Sequence, residues 1–276
     1  MGLLGGKVAF ITGAARGQGR SHALALAREG ADIIAVDICR QLQAVPYRMS
    51  AAGDLAETAS EVEALDRRIV AAEVDIRDLA RLTATVDAGV AKLGRLDIVV
   101  ANAGIFTMAP TLEMTEPVWE EMIEINLTGQ WKTIRAAVPH VIAGGRGGSV
   151  VITSSLAAMT ANENIAHYTA AKAGLIGLMR VLAKELAPYG IRVNTVHPTT
   201  VATPMILNEH TYRHFRPDLA NPTRADFEAA ARTLNRFPVA AVEPSDISNA
   251  ILYLVSDAGR YVTGSTHVVS AGGQLG

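Results

Sequence analysis

Short apolar runs alternate along this chain with longer stretches in which apolar residues recur every three or four positions. The runs are KVAFIT (7–12), DIIAVD (32–37), IVAAEVD (69–75), LDIVVAN (96–102), GSVVITS (148–154), RVNTVHP (192–198) and THVVS (266–270). The first six are apolar on both faces, which predicts strands of a parallel sheet covered on both sides. The periodic stretches, at 19–29, 54–68, 78–93, 117–143, 167–186 and 243–257, predict amphipathic helices. Strand–helix alternation predicts a single-domain α/β fold over 1–276, a Rossmann-like doubly wound parallel sheet of about seven strands with right-handed crossovers.

Two segments break the alternation. ICRQLQAVPYRMSAAGD (38–54) separates the second strand from its helix and exceeds the usual connection length. It carries apolar matter in Leu42, Val45, Pro46, Tyr47 and Met49. Residues 203–238, rich in His, Arg, Pro and Asn, leave the carboxyl edge of the sheet, where a substrate lid is expected.

Composition narrows the function classes. A formal charge of −2 without a basic run argues against a nucleic-acid partner, and no apolar run is long enough to span a bilayer. The lone Cys39 has no internal disulfide partner, the start shows no signal-peptide pattern, and Gly6 breaks the myristoylation pattern. A cytoplasmic protein is expected.

TGAARGQG follows the first strand and opens a helix. Gly13, Gly17 and Gly19, with Arg16 and Gln18 between them, predict a turn whose backbone N–H groups meet a pyrophosphate at a helix N-terminus. Asp37 ends the second strand, where a carboxylate accepts from ribose hydroxyls and repels a 2′-phosphate, favouring NAD over NADP. Arg16 argues weakly the other way. Asp75, with Ile76 after it, ends the third strand and is a candidate acceptor for the adenine amino group. Capping the next helix competes for Asp75, and Asp78 competes for that cap. Asn102, Ala103 and Gly104 form a turn suited to a cofactor.

HYTAAKAG places Tyr168 and Lys172 four apart on one helix face. A phenol titrates near 10, and a neighbouring ammonium together with an oxidised nicotinamide lowers that value. Tyr168 is therefore a candidate acid/base. Ser155 is a candidate donor to the substrate oxygen, with Ser154 as the alternative. Asn126, a mediocre helix former inside a predicted helix, suggests a polar role such as holding a water in a proton relay. His210 and His214 have the spacing of a metal pair but no evident third ligand, so no metal site is expected. His167 is expected at the surface or an interface, and Trp119 and Trp131 in packing. Met205, Ile206, Phe215 and Phe237 are candidates to line an apolar pocket or to anchor the lid.

Together and in this order, TGAARGQG, NAG, Asn126, Ser155, YTAAK and IRVNTVHPTTVATPM resemble the short-chain dehydrogenase/reductase family over nearly the whole chain. The resemblance implies a catalytic tetrad of Asn126, Ser155, Tyr168 and Lys172, with Lys172 also on the nicotinamide ribose, and NAD contacts that include Pro198, Thr199, Val201 and Thr203. It also implies a homotetramer built partly on the helices bearing Asn126 and Tyr168. Two positions depart from the family pattern: Ala101 stands in the usual Asn-Asn-Ala-Gly, and Thr199 in the usual Pro-Gly. These, GQGRSHA and the 38–54 insert resemble the carveol-dehydrogenase-like, mycofactocin-associated branch. For that branch the resemblance implies tightly held NAD, reoxidised by an external carrier, and a small apolar secondary alcohol or its ketone as substrate. The insert is expected to fold over the adenosine half of NAD. Alternative readings are a freely exchanging 3-oxoacyl or steroid reductase, or a non-catalytic dinucleotide sensor.

Overall fold

The computed structural model describes residues 2–275. Seven parallel strands form one sheet in the order β3-β2-β1-β4-β5-β6-β7. They are β1 (Val8–Thr12), β2 (Asp32–Asp37), β3 (Ile69–Glu73), β4 (Ile98–Ala101), β5 (Gly148–Thr153), β6 (Ile191–Pro198) and β7 (Thr266–Val269). Every residue of β1, β2 and β4 is buried, because helices cover both faces. The edge strands β3 and β7 are part-exposed, and β3 alternates in and out.

On one face α1 (Gly17–Arg28) packs against α9 (Pro244–Val255), burying Ala23, Leu26 and Ala27 with Ile247, Ile251 and Leu254. On that side α2 (Ala52–Glu63) buries Leu55 and Val62. The predicted helix at 54–68 is shorter at its end because Asp66 adopts φ 57°, a left-handed turn into β3. The other face carries α3 (Leu79–Leu93), α5 (Gly129–Gly144) and α6 (Ala166–Leu186).

The long helix expected over 117–143 is not uniform. It comprises α4 (Glu116–Ile123), a π turn at Glu124–Thr128 that contains Asn126, and α5. A π turn inserts one residue into the helical ladder and re-aims its side chains, commonly at functional sites. Trp119 and Trp131 sit on the outward side of this assembly, 41% and 40% exposed, and do not pack in the core as expected.

Strand order reverses between β1 and β4, and ligands of open α/β sheets bind at that crevice. Two connections rise over it. The β2–α2 connection is compact: Gln41 donates to the carbonyls of Leu42, Val45 and Tyr47 and accepts from Met49 N. The β6–α9 connection is closed at its neck by the Val201–Val242 bridge and holds α7 (Glu209–Phe215) and α8 (Arg224–Ala231). Among the described residues no helix is long and apolar enough to cross a membrane.

Candidate active site

Every residue expected to touch the cofactor lines one cleft at the carboxyl edge of the sheet, which encloses about 1250 Å³ including its open mouth. One wall is the β1–α1 turn. Gly13 and Gly17 adopt φ +69° and +54°, the left-handed region that favours glycine, and a Cβ on Gly13 would lie 2.8 Å from the Ala103 Cα. No side chain caps the N-terminus of α1, and its first turn carries no acid. The main-chain N–H groups of Gly17, Gln18 and Gly19 thus border the cleft with the positive end of the helix behind them, which fits a pyrophosphate.

Asp37 sits at the tip of β2 with its carboxylate already oriented. It accepts from Ala15 N at 3.0 Å, from Cys39 N at 3.3 Å and from Ser50 Oγ at 2.5 Å. The Arg16 guanidinium is committed elsewhere: it donates to the Arg48 carbonyl and stands 6.0 Å above the Tyr47 ring. Asp75 lines the cleft, but both its oxygens accept from Arg77, and Arg40 adds a further bond at 2.8 Å. These bonds fix the Asp75 carboxylate at the cleft wall. Asp78, not Asp75, caps α3, accepting from Arg81 N at 3.0 Å.

The turn after β4 is fastened from below and behind. Thr12 Oγ1 accepts from the main-chain N–H groups of Asn102 and Ala103, each at 3.1 Å. Gln130 donates to the Ala103 carbonyl. Asn126, fully buried, accepts from Ile105 N at 2.9 Å and donates to Ile105 O at 2.8 Å and Met122 Sδ at 2.9 Å. A Cβ on Gly104 would lie 3.0 Å from Asn126 Oδ1 and 3.6 Å from Lys172 Nζ, so this glycine lets two polar side chains converge.

Ser155, Tyr168 and Lys172 meet at the inner end of the cleft. The two serines separate by role: Ser154 Oγ donates to the Lys172 carbonyl at 2.8 Å, whereas Ser155 Oγ accepts from Ala157 N at 3.1 Å and lines the cleft with Tyr168. His197, buried in β6, bonds the Ser155 carbonyl at 3.0 Å and Thr195 Oγ1 at 2.7 Å. Lys172 Nζ donates to the Thr153 carbonyl at 2.8 Å and lies 5.7 Å from the centre of the Tyr168 ring. Burial pulls Lys172 down to about 7. Burial also pushes the Tyr168 phenol above its ordinary value, with the Ser155 hydroxyl opposing. Within the protein alone desolvation is the larger effect, contrary to the lowering expected from the sequence, which counted the charge of an oxidised nicotinamide as well.

His167 and Phe237 are placed otherwise than expected. His167 is buried, with Nε2 2.8 Å from Thr107 Oγ1, because the loop after β4 covers the start of α6. Met205 and Ile206 line the cleft, whereas Phe215 packs on Phe227 inside the β6–α9 connection and Phe237 is 67% exposed. His210 and His214 lie on α7, and among the described residues no group of three metal-ligating side chains forms. Thr199, where the family pattern has glycine, sends its hydroxyl to Asn235 Oδ1 at 3.4 Å.

Sequence reasoning missed Thr12, Ser50, Phe106, Gln130 and His197. Their spacing carries no signal, because each acts through a partner on a distant element. Tyr47 was singled out only as apolar covering.

Residues 7–212 match the short chain dehydrogenase family. The chain is 54% identical to a (-)-trans-carveol dehydrogenase of Rhodococcus erythropolis, over 100% of both chains. Its fold is similar to that of carveol dehydrogenase from Mycobacterium avium solved in complex with NAD, with a TM-score of 0.99, 55% identity and 100% of both chains covered. A short chain dehydrogenase from Mycobacterium paratuberculosis bound to NAD gives a TM-score of 0.91 at 45% identity, again over 100% of both chains. With Ser155, Tyr168 and Lys172 gathered beside an uncapped glycine turn, and with these likenesses running the full length of the sequence, the chain belongs to the short-chain dehydrogenase family.

Proposed function

We propose that this protein is an NAD-dependent oxidoreductase that interconverts a small, apolar secondary alcohol and its ketone. The observation that carries the reading is the meeting of Ser155, Tyr168 and Lys172 at the inner end of one cleft whose outer end has an uncapped helix N-terminus. The likeness to carveol dehydrogenases supports a terpenoid-like substrate.

NAD, when bound, supplies the hydride acceptor and a positive charge. The glycine turn holds its pyrophosphate, and Asp37 accepts from its ribose hydroxyls and disfavours a 2′-phosphate. Ser155 donates to the substrate oxygen. Tyr168 takes the hydroxyl proton during oxidation and returns it during reduction. Lys172 holds the nicotinamide ribose and favours the phenolate. Both side-chain groups of Asn126 are committed to Ile105, so a proton relay that includes this residue runs through its main-chain carbonyl. Met205 and Ile206 supply apolar wall.

The chain acts as one domain with two covers. Residues 38–54 form a strap over the cofactor, and residues 203–238 form a lid over the substrate. The strap is tied to the cleft at Asp37, Asp75, Arg16 and Phe106, which supports tightly held NAD. Such a cofactor is reoxidised in place by an external redox carrier of the mycofactocin kind. Exposed Trp119, Trp131 and Val181 on the helices bearing Asn126 and Tyr168 support a homotetramer through that face. A cytoplasmic location agrees with the absence of a membrane-crossing helix among the described residues.

The test is single-turnover oxidation of a panel of cyclic secondary alcohols. Tyr168→Phe is expected to lower the rate by about 10²–10⁴-fold, the range of acid–base catalysis, while bound NAD is retained. A near wild-type rate in that variant contradicts the assignment.

A further inference from the structure

Three consecutive residues after β4 are held by three different parts of the molecule. Ile105 exchanges both main-chain groups with Asn126 of the π turn, at 2.9 and 2.8 Å. The Phe106 N–H donates to the Tyr47 hydroxyl of the strap at 3.1 Å. Thr107 Oγ1 pairs at 2.8 Å with Nε2 of His167, the residue before the acid/base tyrosine. The Phe106 ring meets the Tyr168 ring edge to face, with centroids 5.0 Å apart and planes at 85°.

Tyr47 lines the cleft, and its hydroxyl accepts from the Phe106 N–H. Its ring belongs to the same apolar core as Leu42 and Val45, and a phenylalanine would fill that space. Tyr47 is 6% exposed, and burial pushes its phenol up to about 12, so its oxygen meets the Phe106 N–H as a neutral acceptor. What the hydroxyl adds is a fixed position for the Phe106 main chain, and through it for the ring against Tyr168.

We propose that Tyr47 is a positioning residue for the alcohol site: by holding the Phe106 amide, the strap sets the Phe106 ring against Tyr168 and so fixes the width of the pocket in which the alcohol reacts. The inference rests on the alcohol-oxidising reading given above. It makes the Phe106 ring, through its edge-to-face contact with Tyr168, the group that discriminates substrates by bulk, and Thr107 with His167 the anchor of the far end of that turn. Seating of the strap over the cofactor and shaping of the substrate pocket then become one event. If the acceptor is lost, the Phe106 N–H is left without its partner, and the turn shifts until it finds another.

The experiment compares Tyr47→Phe, Phe106→Leu and the double variant with wild type, each with nicotinamide bound and a redox dye as electron acceptor. The readout is kcat and KM for one compact and one bulky cyclic secondary alcohol. Each single variant is expected to move the preference toward the bulky alcohol by about tenfold, the scale set by small changes in an apolar pocket. The change is carried by KM, and the double variant is no worse than Phe106→Leu alone. Unchanged preference in Tyr47→Phe, or additive effects in the double variant, overturns the proposal. A second readout is independent of turnover: hydrogen exchange of the peptide containing Phe106 and of the one containing Tyr168. Both are expected to exchange faster in Tyr47→Phe. If wild type oxidises no alcohol, the proposed function fails, and the exchange rates still decide whether the strap is coupled to Tyr168. Unchanged exchange at both peptides overturns that coupling.

Discussion

The two proposed covers of the cleft are built in opposite ways. The strap at 38–54 has little regular structure before α2, yet it is bonded to the body at every stage. Arg40 reaches Asp75, Tyr47 reaches Phe106, the Arg48 carbonyl reaches Arg16, and Ser50 reaches Asp37. It also buries Leu42, Val45 and Tyr47 in the main core. The lid at 203–238 carries its own order. Phe227 is fully buried between Tyr212 and Phe215, with ring centroids at 5.3 and 4.9 Å, and Thr223 with Asp226 closes a capping box on α8. Its ties to the body are concentrated at its ends, at the Val201–Val242 bridge and where Arg236 and Phe237 bond the Ala271 carbonyl. A cover fixed along its length suits a ligand that stays. A small folded unit on two necks can open as a body and suits a ligand that comes and goes.

The largest effect is expected from removing the fixed cover. Deleting Gln41–Ala51 takes away three buried apolar side chains, each worth about 1.5–3 kcal/mol where fully buried. Loss of about 3–4 kcal/mol from the bound state speeds NAD release by roughly 10²–10³-fold, as followed by nicotinamide fluorescence after dilution. Unchanged release would remove the distinction between the covers. Phe227→Ala tests the other side. Phenylalanine truncation in a core costs about 3–5 kcal/mol, which loosens the lid but not the strap. The alcohol KM is expected to rise roughly tenfold with NAD release unchanged, and faster NAD release would show that the lid also retains the cofactor.

The floor beneath both covers gives an effect that shows only against pH. Burial holds Lys172 at about 7 in the folded protein, against 10.5 ordinarily. The unfolded chain therefore binds more protons at this site between those values. Stability should rise with pH across that window, by at most about 1.4 kcal/mol per pH unit from this group. Lys172→Met should flatten the rise in denaturant midpoint between pH 7 and 10 and abolish turnover. An unaltered slope would mean that burial does not lower the lysine in the folded protein.

Much of the fold was legible because strands buried on both faces read as unbroken apolar runs, and β1, β2 and β4 are buried throughout. The ends of elements were less so. Asp66 stops its helix early by a left-handed turn that nothing in its periodicity announces. Helices α7 and α8 went unpredicted because they are short and depend on the stacking of Tyr212, Phe215 and Phe227, which exists only once they fold. In the site, Tyr168 and Lys172 were readable from one helical turn. Asp75 and Asp78 were not separable by spacing, and the bond from Arg81 N assigns the cap of α3 to Asp78. His167 read as a surface residue because the loop that buries it is distant in sequence. Tyr47 showed its apolar ring to the sequence, but its hydroxyl gains meaning only beside Phe106.

The central claim, a cofactor kept in place under the strap, is tested most directly by denaturing the purified, extensively dialysed protein and identifying the released nucleotide by mass and absorbance. The account predicts stoichiometric NAD from wild type and little from the Gln41–Ala51 deletion. Wild-type protein that releases no nucleotide, or that releases NADP, would contradict it.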